Sequence, residues 1–231
     1  MTTTIKGISS MATRLLLNDL AEEYQRSFGV SVDIESVGGV DAAKRVQAGE
    51  PFDAVFLSSD AIDKLIASGQ VLPGSRVDLV RSGVAVAVRE GASHPDIASE
   101  EAVRQAVLAA RSLSYSTGPS GVELAKLFER WGIADQIKDR IVTAPPGVPV
   151  GSLVAKGEVE LGFQQLSELM HLPGIDVLGP LPQAIQIVTT FSAGVCVTSR
   201  QPDAVRAMLA AMNEQPAVAL KHRHGMEPAW P

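Results

Sequence analysis

The sequence predicts an α/β fold of two doubly wound lobes joined by a two-strand hinge. Three observations predict it. Short apolar runs rich in β-branched residues alternate with segments of helical period, the pattern of a mainly parallel sheet covered by helices. Two longer strand-like stretches, over 77–89 and 183–198, stand apart from that alternation and provide crossings between lobes. A small polar or glycine turn recurs where a strand gives way to a helix: Ser9-Ser10, Gly38-Gly39 and Thr117-Gly118-Pro119-Ser120-Gly121.

Taken in order, 3–8 reads as a strand and 11–28 as a helix, with Leu16, Leu20, Tyr24 and Phe28 on one face. A strand over 30–37, a helix over 40–48, a buried strand over 54–57 and a helix over 60–68 complete the first unit. In the 77–89 stretch Val84, Val86 and Val88 alternate. Helices over 99–110 and 120–132 flank a strand over 113–115. Ser120 and Glu123 have the spacing of a capping box, and Leu124, Leu127, Phe128 and Trp131 supply a buried stripe. A turn over 145–149 leads into a short helix over 150–156. Strand, short helix and strand follow over 159–163, 168–170 and 175–178. The 183–198 run is strand-like with an interruption near Ala193-Gly194, and helices over 204–212 and 217–221 close the chain. This order predicts lobe one from residues 1–82 and 186–231, lobe two from 83–185, and a ligand cleft between them.

The chain has 231 residues, of which 45% are apolar and 20% charged, an ordinary soluble composition for one large or two smaller domains. A net charge of −6 argues against nucleic acid or an anionic membrane as the main partner. It does not oppose a small anion, because the N-terminus of a helix is a local positive site. The single Cys196 lies in an apolar run and reads as a buried, inert thiol. No apolar stretch approaches the roughly 20 residues of a membrane span, so no membrane insertion is expected. The start lacks the pattern of a signal peptide. The expectation is a cytoplasmic protein as the sequence stands, or a periplasmic one if a leader has been removed. His222 and His224 alone have a metal-like spacing, and they sit in a basic tail that reads as solvent-exposed. With no Cys/His/carboxylate cluster, no P-loop, no G-x-S-x-G and no dinucleotide fingerprint, neither metal nor cofactor is expected.

Several blocks in order carry a resemblance: Ile8-Ser9-Ser10-Met11, Gln47-Ala48-Gly49-Glu50-Pro51-Phe52-Asp53-Ala54-Val55, Lys156-Gly157-Glu158-Val159-Glu160-Leu161-Gly162-Phe163, and the ending Gly225-Met226-Glu227-Pro228. Over roughly residues 4–228 the chain resembles the molybdate-type periplasmic substrate-binding proteins of ABC transporters. The resemblance implies the type II periplasmic binding protein fold, a Venus flytrap whose cleft holds a tetrahedral oxyanion by hydroxyls and backbone amides. It places Ser10 at the first-turn serine ligand and Gly39 where the family has a serine, leaving only a backbone N–H there. Ser120 and Gly121 fall on the first turn of the second lobe's amide-donating helix. Pro149 and Val150 lie near the next such helix start, and Gln165 stands where molybdate binders commonly have a tyrosine. These departures turn the expectation from molybdate toward an organic acid, since Gln164 and Gln165 offer neutral amides that both donate and accept. The run Gly162-Phe163-Gln164-Gln165-Leu166-Ser167-Glu168 looks like a subgroup of the family, and some relatives with this fold are isomerases of small unsaturated tricarboxylic acids.

The candidate ligand contacts are therefore Ser9, Ser10, Gly38, Gly39, Ser116, Thr117, Ser120, Gly121, Pro149, Val150, Gln164 and Gln165. Each has an ordinary alternative: serines cap helices, glycines make tight turns, and amides fill strand ends. Lys44 reads as solvated charge, Arg45 as a candidate clamp for a carboxylate, and Asp53 as part of a structural Pro-Phe-Asp turn. One function that fits is a binding protein that captures a small anion, a di- or tricarboxylate or an oxyanion, and passes it to an ABC-transporter permease if exported. The alternative is a cytosolic isomerase in which helix N-termini stabilise the enolate-like charge left when an α-proton departs. That chemistry needs a general base. The sequence offers only the hydroxyls of Ser116, Thr117, Ser120 and Tyr115 or a carboxylate at a lobe edge, which favours binding without chemistry.

Overall fold

The structure, a computed structural model, describes residues 4–145 and 147–230. Thr3 of the first expected strand, Pro146 of the expected 145–149 turn, and Pro231 lie outside them. The chain divides into two compact units, one formed by the chain up to Arg81 and from Thr190 on, the other by Ser82–Thr189.

In the first unit β1 (Ile5–Ser10) lies between β2 (Val32–Val37) and β3 (Ala54–Ser58), all parallel. A 3-10 turn, Met11–Thr13, leads from β1 into α1 (Arg14–Phe28), which stops at Gly29 in the left-handed conformation, φ 69°. The helices α2 (Gly39–Gln47) and α3 (Ser59–Ala67) follow β2 and β3. Every residue of β3 is buried. Ala54 and Phe56 face one core with Leu16, Leu20 and Leu209, whereas Val55 and Leu57 face another with Val46, Ile62 and Leu65. This is why the segment reads as a continuous apolar run rather than an alternating one: helices cover both faces.

The strand β4 (Val77–Arg89) runs from the first unit into the second. There α4 (Glu100–Ala109), β5 (Leu113–Tyr115), α5 (Pro119–Arg130), α6 (Ala134–Ile137), α7 (Val150–Ala155), β6 (Leu161–Gln165), α8 (Leu166–Leu169) and β7 (Ile175–Pro180) follow. The strand β6 pairs parallel with β5 and antiparallel with β4, which also pairs with β7. Val84, Val86 and Val88 pack against Leu113, Phe128 and Phe163, while Ala85 and Ala87 face Leu169.

The strand β8 (Val188–Val195) returns to the first unit and pairs antiparallel with β3. The chain then forms α9 (Pro202–Ala211), α10 (Pro216–Arg223) and β9 (Glu227–Pro228), the last paired with Val80 and Arg81 of β4. Buried Lys221 donates to Leu79 O at 3.0 Å and Asn213 Oδ1 at 2.9 Å, and its ammonium lies 3.8 Å from the Trp230 ring centre. His224, expected in a solvated tail, is instead buried, because α10 packs on α1; its Nε2 lies 2.9 Å from Asp19 Oδ2. His222 is exposed and pairs with Glu227.

Several expectations are corrected. The capping box at Ser120 and Glu123 does not form. Gly118 is the N-cap and Pro119 starts α5, since its fixed φ and missing N–H suit the first helical position. Ser120 lies one residue inside, and Glu123 pairs with Lys126. The strand expected over 159–163 is Leu161–Gln165, because Val159 packs with Leu153 and Val154 of α7 instead of joining the ladder. The run over 183–198 holds a 3-10 turn, Gln183–Ile185, before β8. Gly194 does not interrupt that strand; it stays opposite Val55, and its missing side chain makes room for Val71, whose Cγ1 would lie 2.6 Å from a Cβ.

Candidate functional site

Parallel strands bring their carboxyl ends to one edge, and in open α/β sheets ligands bind beyond that edge. In the first unit the ends are Ser10, Val37 and Ser58. Ser10 is only 8% exposed, and its Oγ has no hydrogen-bond partner among the described residues. Its neighbour Ser9 is committed: the Ser9 hydroxyl lies 2.7 Å from Ser36 Oγ and donates to Ser10 O at 3.2 Å. Gly39, the first residue of α2, comes close to Ser10; a Cβ built on Gly39 would lie 3.5 Å from that of Ser10. Gly38 is the N-cap and has no side chain to satisfy the amides of the first turn, in which Asp41 is the acidic residue. The structure thus joins Ser10, Gly38 and Gly39 and turns Ser9 inward.

Arg45 is not free to clamp a carboxylate. Its guanidinium donates to Glu50 at 2.8–3.0 Å and to Glu35 at 2.6 and 3.0 Å, and it stacks 5.1 Å from the Phe52 ring centre. Those hydrogen bonds hold the Glu35 carboxyl below its usual range. Lys44 is exposed. Asp53 is structural, accepting from Lys6 N, Ser199 Oγ and Gln201 Nε2.

In the second unit the loop after β5 brings Ser116 and Ser120 together, with their hydroxyls 3.1 Å apart, while Thr117 is exposed. Gly121 serves close packing: a Cβ there would lie 1.5 Å from Ser116 O, and its N–H already donates to Gly118 O at 3.0 Å. Its amide is therefore not offered to a ligand, contrary to the expectation from the resemblance. Pro149 has no N–H to give; its carbonyl accepts from Ser152 N at 3.0 Å. Val150 is buried against Gly162, so it supplies packing with its side chain.

The glutamine pair is also engaged. Gly151 N–H donates to Gln164 Oε1 at 3.3 Å, and Gln164 Nε2 donates to Glu168 Oε1 at 2.8 Å. The partners around Gln165 assign its amide: Oε1 accepts from Thr189 Oγ1 at 3.0 Å, and Nε2 donates to Ser82 Oγ at 2.9 Å and to the carbonyls of Ser82 and Gly83. Both amides thus have protein partners, because each side chain is at least nine-tenths buried and an amide there must be paired. Gln165 ties β6 to the ends of β4 and β8 that lie in this unit.

Two groups stand out that the residue patterns did not single out. Ser114 Oγ in β5 is fully buried with no hydrogen-bond partner among the described residues. Glu168 has no cation paired with it among the described residues, and desolvation by burial pushes its carboxyl up to about 7 against the lowering by Gln164. The only sequence signal for Glu168 was its place four residues after Gln164, across the junction between β6 and α8. Among the described residues no group of three His, Cys, Asp or Glu is placed to hold a metal, and no helix is long and apolar enough to cross a membrane.

The profile of the bacterial extracellular solute-binding protein family matches residues 5–227. The chain belongs to that family. It is 39% identical to an aconitate isomerase of a Pseudomonas species over 98% of this chain and 88% of the relative. Among solved structures it is similar to the periplasmic molybdate-binding protein of Azotobacter vinelandii, with a TM-score of 0.80, 21% identity, and 98% and 99% of the two chains covered. It is also similar to the sulfate-binding protein of Mycobacterium tuberculosis, with a TM-score of 0.80, 17% identity, and 99% and 88% covered. These likenesses show the type II periplasmic binding protein fold expected from the sequence. Proteins with that fold include anion binders by name, and the relative that matches by sequence is an isomerase by name.

Proposed function

We propose that this solute-binding protein takes a small anion carrying carboxylates, anchored in the first unit by Ser10 and the N-terminal turn of α2. One observation carries this reading: a nine-tenths buried hydroxyl with no partner among the described residues, beside Gly39 at the positive end of a helix. Leaving such a group unpaired costs about 1–3 kcal/mol, which an anion's oxygen would recover by accepting its hydrogen bond. The turn at Ser116, Thr117 and Ser120 is a further candidate contact. The aconitate isomerase relative supports an organic acid over a metal oxyanion. If the chain is exported, delivery to an ABC-transporter permease follows from the family's role. A thermal-shift panel of molybdate, tungstate, sulfate, aconitate and citrate tests the reading. Stabilisation by the carboxylates, lost in Ser10→Ala, is expected; stabilisation by molybdate and tungstate alone would overturn the organic-acid assignment.

The same relative favours a second reading, in which the bound acid is unsaturated and the protein isomerises it. Proton NMR of aconitate incubated with the protein tests this. Interconversion of the geometric isomers is expected, and an unchanged spectrum at stoichiometric protein refutes it.

A further inference from the structure

An isomerase of this kind lacks an evident base among its hydroxyls, and the second unit contains a carboxyl group set up for that role. Glu168 sits just past the carboxyl end of β6, the strand that pairs parallel with β5. One of its oxygens, Oε1, accepts from Gln164 Nε2 at 2.8 Å. Gln164 cannot turn that amide around without losing its other bond, because Oε1 accepts from Gly151 N–H. Gly151 is itself fixed by close packing: a Cβ there would meet Leu172 Cδ1 at 2.5 Å and Leu169 Cδ2 at 3.1 Å. A relay of backbone amide, glutamine and carboxylate therefore aims Glu168, and its second oxygen has no bond to any described residue. Among the described residues no salt bridge reaches it. The strands packed against α8 bring one ionisable side chain, Asp176 of β7, which is occupied by His94 and Gly91 N–H.

A carboxylate held by one neutral donor, without a countercharge and with one free oxygen, suits proton transfer better than anion binding. Resting on the isomerase reading, we propose that Glu168 is the catalytic residue that moves the proton of a small unsaturated polycarboxylic acid. Its free oxygen takes a proton from the carbon next to one carboxylate, breaking C–H and forming O–H. The electron pair shifts the double bond by one position. Returning the proton to the far carbon of the three-carbon unit forms the new C–H and restores the carboxylate. No oxidant or further reactant is required. Gln164 acts as a positioning residue, since it holds the oxygen that does not receive the proton.

The test uses the full chain with aconitate in deuterium oxide, followed by proton NMR, and binding measured separately by thermal shift. Wild-type protein is expected to isomerise aconitate with loss of carbon-bound proton signal to solvent, and to show a turnover limb near neutral pH. Glu168→Gln keeps the shape and can still accept from Gln164. It is expected to bind aconitate while turnover and exchange both fall about 100-fold or more. Glu168→Asp serves if that variant does not fold; drawing the carboxylate back by one methylene is expected to lower kcat and move the pH limb while leaving KM little changed. Turnover in Glu168→Gln within threefold of wild type, or Glu168→Asp with unchanged kcat and pH limb, overturns the role of Glu168 and leaves the isomerase reading intact. Wild-type protein that binds aconitate without isomerising or exchanging it overturns both.

Discussion

Replacing Ser10 by alanine changes two quantities in opposite directions. The hydroxyl is buried with no partner among the described residues, so removing it relieves a desolvation penalty of about 1–3 kcal/mol while keeping the Ser10 Cβ in place. The free variant is expected to be more stable by about 1 kcal/mol, a rise of roughly 2–4 °C in Tm for a chain of this size. With ligand present the order reverses. A hydrogen bond from a neutral hydroxyl to a carboxylate contributes about 1.5–3 kcal/mol, so affinity should drop roughly 10- to 150-fold. Urea denaturation without ligand gives the first quantity, and calorimetric titration with the carboxylate that stabilises the wild type gives the second. A variant that loses more than about 1 kcal/mol of stability and binds with unchanged affinity refutes the reasoning, because Ser10 would then be a structural group.

Gly121→Ala forces a Cβ to within 1.5 Å of a backbone oxygen and should destabilise by about 3 kcal/mol or more in chemical denaturation. Gly39→Ala meets only ordinary contacts at 3.5 and 3.8 Å, so it should hold stability within about 0.5 kcal/mol while weakening anion binding. For Glu168 the folded carboxyl is raised from 4.5 to about 7, so the folded state binds the extra proton between those values. The stability this gives is full below pH 4.5 and is lost as pH rises through 7, on the order of 3 kcal/mol. Melting curves of wild type and Glu168→Gln should converge at low pH and separate above it, with the variant the more stable. Cys196 is buried and its thiol is pushed up to about 12, by burial and then by Asp53, so a thiol reagent at pH 8 should label it only after unfolding.

The apolar pattern carried most of the fold because burial on two faces leaves a direct trace. The 77–89 run became β4 with the same ends, and 113–115 became β5. The failures are at positions where a polar side chain had several partners to choose from. Ser120 had the spacing of a cap, yet Pro119 had already started the helix and Ser116 was closer. Gln165 had the place of a ligand residue, yet Ser82 and Thr189 meet it from strands far away in sequence. Arg45 had the geometry of a clamp, and two glutamates had it already. The pairing of Ser10 with Gly39 was legible because each ends or begins an element whose ends the pattern fixed. Glu168 was not, because the burial that sets it apart arises from tertiary packing, and no local spacing records that.

The split of the first unit around the second has a consequence for how the chain folds during synthesis. The second unit is continuous, so all its strands and helices have emerged before Thr190 leaves the ribosome. The first unit has no such opportunity. The edge of β3 waits for β8, and Val80 and Arg81 wait for β9, while residues near Ser10 remain without the core that Leu209 and Met212 complete. Contacts of that sequence separation form slowly, and an unpaired apolar strand is prone to aggregation in the interval. The waiting strand, β3, is fully buried once its partner arrives, so in a refolding experiment recovery of the first unit should be the slow, concentration-sensitive step.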